Sequence, residues 1–289
     1  MTSLIWLQGA RPRTLPAAVV PVLVGAACAA GEPGATWWRA VVALVVSLAL
    51  QVGVNFANDY SDGIRGTDSV RVGPMRLVGS GRATPTAVKR AAGIAFGAAA
   101  LAGAWLAATT SWWLLVVGAA ALLAGWFYTG GPHPYGYIGL GEVFVFVFFG
   151  LVATIGTTFV VLNKVNTASV VLSVGVGAVA CALLVVNNLR DIPTDREAGK
   201  RTLAVRIGDA RTRVFYLALL VVAVATPLVI AADRPWLLVT LIAVPLAVAP
   251  VQKIRGGAHG PDLIAVLAAT GKLQLAYGVL IALGLVLSR

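Results

Sequence analysis

Charge is scarce in this sequence. Only 11% of its 289 residues are Asp, Glu, Lys or Arg, and just 11 are acidic. A soluble domain carries about a quarter of its residues as charges, so most of this surface is not made for water. Cysteine and histidine are limited to two each. Cys28 and Cys181 both fall inside apolar stretches, which excludes a disulfide framework and a thiol metal site and leaves packing as their reading. The chain has no low-complexity segment, linker or tail, and reads as a single domain, 1–289. Its first apolar run follows Arg11, Pro12 and Arg13 and belongs to a series of similar runs, so no cleavable signal is expected there.

What is plentiful is apolar sequence, 59% of the chain with a mean hydropathy of +0.89. A bilayer-crossing helix needs about 20 mostly apolar residues. Nine runs meet or approach that length: 15–31, 37–58, 86–109, 112–128, 139–163, 167–190, 212–232, 236–252 and 262–287. The first is short and holds Pro16 and Pro21, and the eighth holds Pro245 and Pro250. The expected architecture is all-α and polytopic, nine transmembrane helices around a central cavity.

The net charge of +11 does not form one basic patch, which argues against nucleic acid as a partner. With the N-terminus inside, 17 of the 22 basic residues fall in inside segments and four outside: Arg39, Lys164, Arg234 and Arg289. This asymmetry predicts an N-in, C-out topology with inside loops facing the cytoplasm. Trp37, Trp38, Trp112, Trp113 and Trp236 begin spans at the expected outer interface, as an aromatic belt does. Two inside loops, about 59–85 and 191–211, are long, and long loops in so economical a chain are where function is sought.

Seven of the 11 acidic residues fall in those loops, and Asp59, Asp62, Asp68, Asp191 and Asp195 form two groups there. On a helix, Asn55, Asn58, Asp59 and Asp62 share one face through i+3 and i+4 spacing. Asp68 follows Gly63 and Gly66 and is expected on a loop. Asn187, Asp191 and Asp195, spaced by four, share a second face, with Pro193 expected to kink or restart the helix. Carboxylates are disfavoured at helix C-termini, and two such clusters at one membrane face repel unless cations compensate. Hard oxygen ligands suit Mg²⁺, which takes few carboxylates and completes its shell with phosphate and water; Mn²⁺ stays open as the alternative. Arg65, Arg71, Arg76, Arg190, Lys200 and Arg201 supply donors for a diphosphate. The bland reading, solvated loop charges, suits one cluster better than two with matched spacing.

These residues resemble the two signature motifs of the UbiA superfamily of membrane prenyltransferases: Asn58, Asp59 and Asp62 with Asp68 beyond, then Asp191 and Asp195. Residues 10–17, Gly73 to Arg76, Tyr128 to Pro132, Pro134 to Glu142 and Asn188 to Leu203 are similar to the 1,4-dihydroxy-2-naphthoate branch of menaquinone synthesis. Where relatives often carry Lys or Arg before the proline of the 128–142 segment, this chain has His133. The resemblance implies transfer of a polyprenyl group from polyprenyl diphosphate to 1,4-dihydroxy-2-naphthoate, with decarboxylation to demethylmenaquinone, at the cell membrane. Metal ligation then falls to Asp59, Asp62, Asp68, Asp191 and Asp195. Diphosphate binding falls to Asn55, Asn58, Asn187, Arg65, Arg76, Lys200 and Arg201, and catalytic roles extend to Tyr128 and Glu142.

An allylic cation needs aromatic faces and exclusion of water, for which Tyr60, Tyr128, Tyr135 and Tyr137 are candidates beside their ordinary role as interfacial anchors. Phe144, Phe146, Phe148 and Phe149 fit either a prenyl groove or lipid packing. Lys272 fits snorkelling or a cavity, and Gln274 is a pocket candidate. Gly79 to Gly81 reads as a loop turn before a phosphate cradle. Rival readings are another acceptor such as 4-hydroxybenzoate, homogentisate or chlorophyllide, a membrane CDP-alcohol phosphotransferase, whose continuous aspartate array is absent, and a cation transporter, which would set its acids near mid-span.

Overall fold

The computed structural model describes residues 2–66 and 75–289. Asp68, Arg71, Gly73 and Pro74 lie outside the described residues. The architecture is all-helical. In chain order the helices are α1 (Thr2–Ala10), α2 (Pro16–Ala27), α3 (Trp38–Ile64), α4 (Pro85–Thr109), α5 (Trp113–Phe127), α6 (Gly141–Leu162), α7 (Thr167–Glu197), α8 (Leu203–Val229), α9 (Pro235–Arg255) and α10 (Asp262–Leu287). Among the described residues, seven of these are long and apolar enough to cross a membrane; α2 and α5 are shorter apolar helices.

Local chemistry sets several starts. Pro16 and Pro85 open α2 and α4, where a missing amide costs no helical bond. Thr84, Asn166 and Thr202 cap α4, α7 and α8 by accepting the amides of Ala87, Ser169 and Val205.

Helix α7 is central, with 72% of its apolar stretch buried against 22–39% in the other six long helices. The main core joins it to α2, α8 and α10 through Val24, Leu172, Val176, Tyr216 and Ile281. The outside is apolar too. Leu101 and Trp113 are each 77% exposed, a surface that suits lipid. Helices α6 and α7 meet at Gly150 and Gly177, where a Cβ on Gly150 would stand 2.6 Å from the Gly177 Cα. Beside that contact α6 is π-wound over Phe146–Val152.

Contacts sort the connections into two ends. At one, Arg39 donates to the carbonyls of Thr109 and Val160 and to Asn163, and Lys164 pairs with Glu32. At the other, Asn55 donates to the Ala10 carbonyl and Thr129 donates to Asn58. Both short helices therefore run from end to end: α2 follows Ala10 and reaches Cys28, whose carbonyl accepts from Asn166, and α5 leads from the Thr109 end to Thr129.

Three expectations are corrected. The two long loops begin later than expected, because α3 continues to Ile64 and α7 to Glu197, which keeps Asp59, Asp62, Asp191 and Asp195 on the helix faces their spacing implies. Helix α7 passes through Pro193 without restarting. Pro193 is exposed in the penultimate turn, where one missing amide costs little. Third, the second long loop contains the start of α8, which breaks at Gly208 (φ 80°, ψ 170°), a conformation open to glycine.

Candidate functional site

The acidic end of the bundle is assembled from the C-terminal turns of α3 and α7 and from residues 75–84, 128–140 and 198–202 of the connections. Because α3 is continuous through Ile64, Asn55, Asn58, Asp59 and Asp62 all lie on it, and all four are buried. Their partners differ. The two oxygens of Asp59 accept the amides of Leu77 (2.7 Å) and Val78 (3.0 Å), so this fully buried carboxylate holds the turn that precedes α4. Ser80 Oγ donates to the Arg76 carbonyl in that turn. The Gly79 to Gly81 stretch is thus a loop turn.

Among the described residues, Asp62 meets donors from three parts of the chain. Tyr137 Oη lies 2.5 Å from Oδ1, Lys200 Nζ 3.2 Å from Oδ1, and Arg76 Nη2 3.4 Å from Oδ2. Lys200 also sits 4.6 Å from the centre of the Tyr137 ring, with the Arg65 guanidinium 5.3 Å from it. Arg65 donates to the carbonyls of Thr129 and Gly131 and fastens the 128–140 connection to the end of α3. Asn58 accepts from Thr129 Oγ1 at 2.7 Å. Asn55 binds Ala10 and Thr14, supporting the N-terminal turn.

On α7, Arg190 grips Asp191 through two bonds of 2.6 and 2.8 Å, and its Nη2 also donates to Asn187 at 2.9 Å. A cation beside this carboxylate offsets its poor position at a helix C-terminus. Asp195 is partly exposed one turn on, and its carbonyl accepts the Lys200 amide. The Arg201 amide donates to the Tyr137 carbonyl while its side chain is exposed. The 198–202 connection is thereby sewn to both clusters.

Tyr128 stands among them. Burial raises its phenol well above the usual tyrosine range, and the nearby carboxylates of Glu142, Asp62 and Asp195 add to the shift, as does Tyr135. It therefore keeps its proton. Tyr128 meets Tyr135 edge-on, and stacked contacts continue to Phe144 and Phe148, while Phe146 packs on Gly177. Tyr60 instead stacks on Trp126 under Lys89.

Glu142, at the start of α6, is buried; Asn188 Nδ2 donates to its Oε1 at 2.9 Å. No role for Asn188 follows from sequence spacing. Its spacing of one from Asn187 puts it on another face of α7, and only the fold shows what that face meets. His133 and Lys272 are exposed. Gln274 is fully buried, and neither of its amide atoms has a hydrogen-bond partner.

The donor set suits a divalent metal with a diphosphate. Among the described residues no three acidic, His or Cys side chains form a ready cage.

Residues 18–259 match the UbiA prenyltransferase family. A 1,4-dihydroxy-2-naphthoate octaprenyltransferase of Mycobacterium tuberculosis is 50% identical over 96% of this chain and 95% of its own length. One of Escherichia coli is 34% identical over 98% and 96%. Among solved structures, a UbiA homolog from Aeropyrum pernix aligns with a TM-score of 0.72 at 14% identity, covering 96% of this chain and 98% of that one. A homolog from Archaeoglobus fulgidus bound to DMAPP and Mg²⁺ aligns at 0.61 and 16%, covering 96% and 98%.

Proposed function

Because this chain belongs to the UbiA prenyltransferase family, we propose that it transfers a polyprenyl group from a polyprenyl diphosphate to 1,4-dihydroxy-2-naphthoate, giving demethylmenaquinone with loss of carbon dioxide. The acceptor follows the relatives, which are similar over nearly their whole length.

The observation that carries the chemistry is the set of buried carboxylates already matched by cations. Asp62 meets Lys200 and Arg76, and Asp191 meets Arg190. Buried charges are stable only when paired, and the same groups can regroup around a charged ligand. The cations turn to diphosphate oxygens while the carboxylates hold Mg²⁺. Asp62, Asp191 and Asp195 are the proposed metal ligands, with Asn58 and Asn187 beside them, Asp68 as a loop contributor, and Asp59 keeping the α3–α4 turn in place. Arg65, Arg76, Arg190, Lys200 and Arg201 are the proposed diphosphate donors. When bound, Mg²⁺ supplies Lewis-acid neutralisation of the leaving group. Lys200 and Arg76 add fixed positive charge where the allylic C–O bond breaks. Tyr128 and Tyr137 present aromatic faces to the developing cation, and the connections over the site keep water out.

All nine apolar helices α2–α10 are proposed to cross the bilayer, N-in and C-out, enclosing a central cavity that opens to the cytoplasm. The support is that loops at the acidic end hold most of the basic residues, and that both short helices run from end to end. A donor-binding titration in detergent tests the pairing. Farnesyl diphosphate is expected to bind at least tenfold more tightly with Mg²⁺ than with chelator, and Asp191→Ala to abolish that gain. Equal binding under both conditions would refute the proposal.

A further inference from the structure

We propose that Glu142, clamped by Asn188, is the catalytic base that takes the ring-hydroxyl proton of the aromatic acceptor, an assignment that rests on the acceptor reading above. Three observations lead to it. Glu142 is 4% exposed, and its Oε1 accepts the Asn188 amide while its buried Oε2 has no hydrogen-bond partner. The Glu142 carbonyl accepts from Cys181 Sγ at 3.1 Å, so α7 holds both the main chain and the side chain of this residue in register. Glu142 also lies close enough to Tyr128 to act on its phenol, as do Asp62 and Asp195. Gly141, next to Glu142 in the chain, packs against the Tyr128 ring and hydroxyl, which sets Glu142 beside Tyr128 with Oε2 as a buried acceptor.

Other groups at that place are occupied. Asp62 is held by Tyr137, Lys200 and Arg76, Asp191 by Arg190, and Asp59 by two main-chain amides. Tyr128 retains its proton. Glu142 Oε2 is a buried acceptor lacking a donor, and buried polar atoms are almost always paired. A phenolic O–H is a complementary ligand.

The step balances. The allylic C–O bond breaks with its electron pair leaving on the diphosphate. The ring carbon that carries the carboxylate forms the new C–C bond, while the neighbouring hydroxyl becomes a carbonyl and its proton passes to Glu142 Oε2. The carboxylate then leaves as carbon dioxide, its bonding pair restores the aromatic ring, and the proton returns to the ring oxygen. Glu142 ends as it began.

The test compares wild type with Glu142→Gln. General-base contributions run from about 10² to 10⁴ in rate, so kcat is expected to fall by about 100-fold or more while donor KM and Mg²⁺ dependence stay within about twofold. Equilibrium binding of the acceptor, followed by tryptophan fluorescence without donor, is expected to weaken about tenfold, the size of one charge-assisted hydrogen bond. One of the two monomethyl ethers of the acceptor should bind wild type and Glu142→Gln equally. The assignment is overturned if the variant keeps kcat within twofold, or if it loses affinity equally for the acceptor and both ethers, as it would were a bound water the partner of Oε2. Should Glu142→Gln not fold, Asn188→Leu keeps the carboxylate but frees it. The same preference for the free hydroxyl is then expected to shrink, and an unchanged preference overturns the assignment. Product formation by wild type decides the acceptor reading separately.

Discussion

Lys200 Nζ lies 3.2 Å from Asp62 Oδ1, joining residues 138 positions apart. The bond ties the connection after α7 to the last turns of α3. Both partners are at least nine-tenths buried. Lys200 is thus positioned by the first cluster, though it follows the second in sequence. Hydrogen bonds to charged groups contribute about 1.5–3 kcal/mol. Lys200→Met is expected to raise donor KM about tenfold or more, with Lys200→Arg recovering part of the loss. Steady-state kinetics with varied donor check this, and unchanged KM in Lys200→Met removes the residue from the diphosphate site.

Asp59 and Asp62 occupy one helix face yet should respond differently to amidation. Asp59→Asn replaces one acceptor oxygen by an N–H group facing a main-chain amide, at a cost of about 1–3 kcal/mol. Hydrogen exchange at Leu77 and Val78 is expected to accelerate at least fivefold, while the Mg²⁺ concentration for half activation barely moves. Asp62→Asn should shift that concentration upward. Matching Mg²⁺ shifts in both variants would make Asp59 a ligand instead.

Tyr128 separates the action of a ring from that of a hydroxyl. A cation over a desolvated aromatic face is stabilised by about 2 kcal/mol. Tyr128→Phe keeps the face and is expected to retain kcat within about fivefold, whereas Tyr128→Leu should lose roughly 30-fold. Equal losses in single-turnover assays would point to the hydroxyl.

The Gly150 and Gly177 contact tests the packing that places α6, and hence Glu142, against α7. A methyl group on Gly150 meets the Gly177 backbone at 2.6 Å, and overpacking of this kind costs about 1–3 kcal/mol. Gly150→Ala is expected to lower the thermal unfolding midpoint by several degrees. Gly97→Ala, where nothing lies within 4 Å, should not.

Periodicity made much of this legible. The 55–62 and 187–195 spacings imply two helix faces, and both segments are helical through those residues. The apolar runs locate the long helices, whereas α3, α7 and α8 extend past their runs into the expected inside loops. Pro193 misleads because a proline near an exposed helix end loses little, whereas the rule it invokes describes interiors. Partnerships were less readable. Asp59 and Leu77 are 18 residues apart, and Glu142 and Asn188 are 46 apart. Each depends on where a loop or a neighbouring helix is packed, and spacing within one helix carries no trace of it.

The most direct test of the central claim is product analysis after incubating purified protein with farnesyl or geranylgeranyl diphosphate, Mg²⁺ and either 1,4-dihydroxy-2-naphthoate or 4-hydroxybenzoate. The account predicts a prenylated, decarboxylated naphthoquinol from the first acceptor only, lost on chelation and in Asp62→Ala and Asp191→Ala. No product, prenylated 4-hydroxybenzoate instead, or product that survives both substitutions would contradict it.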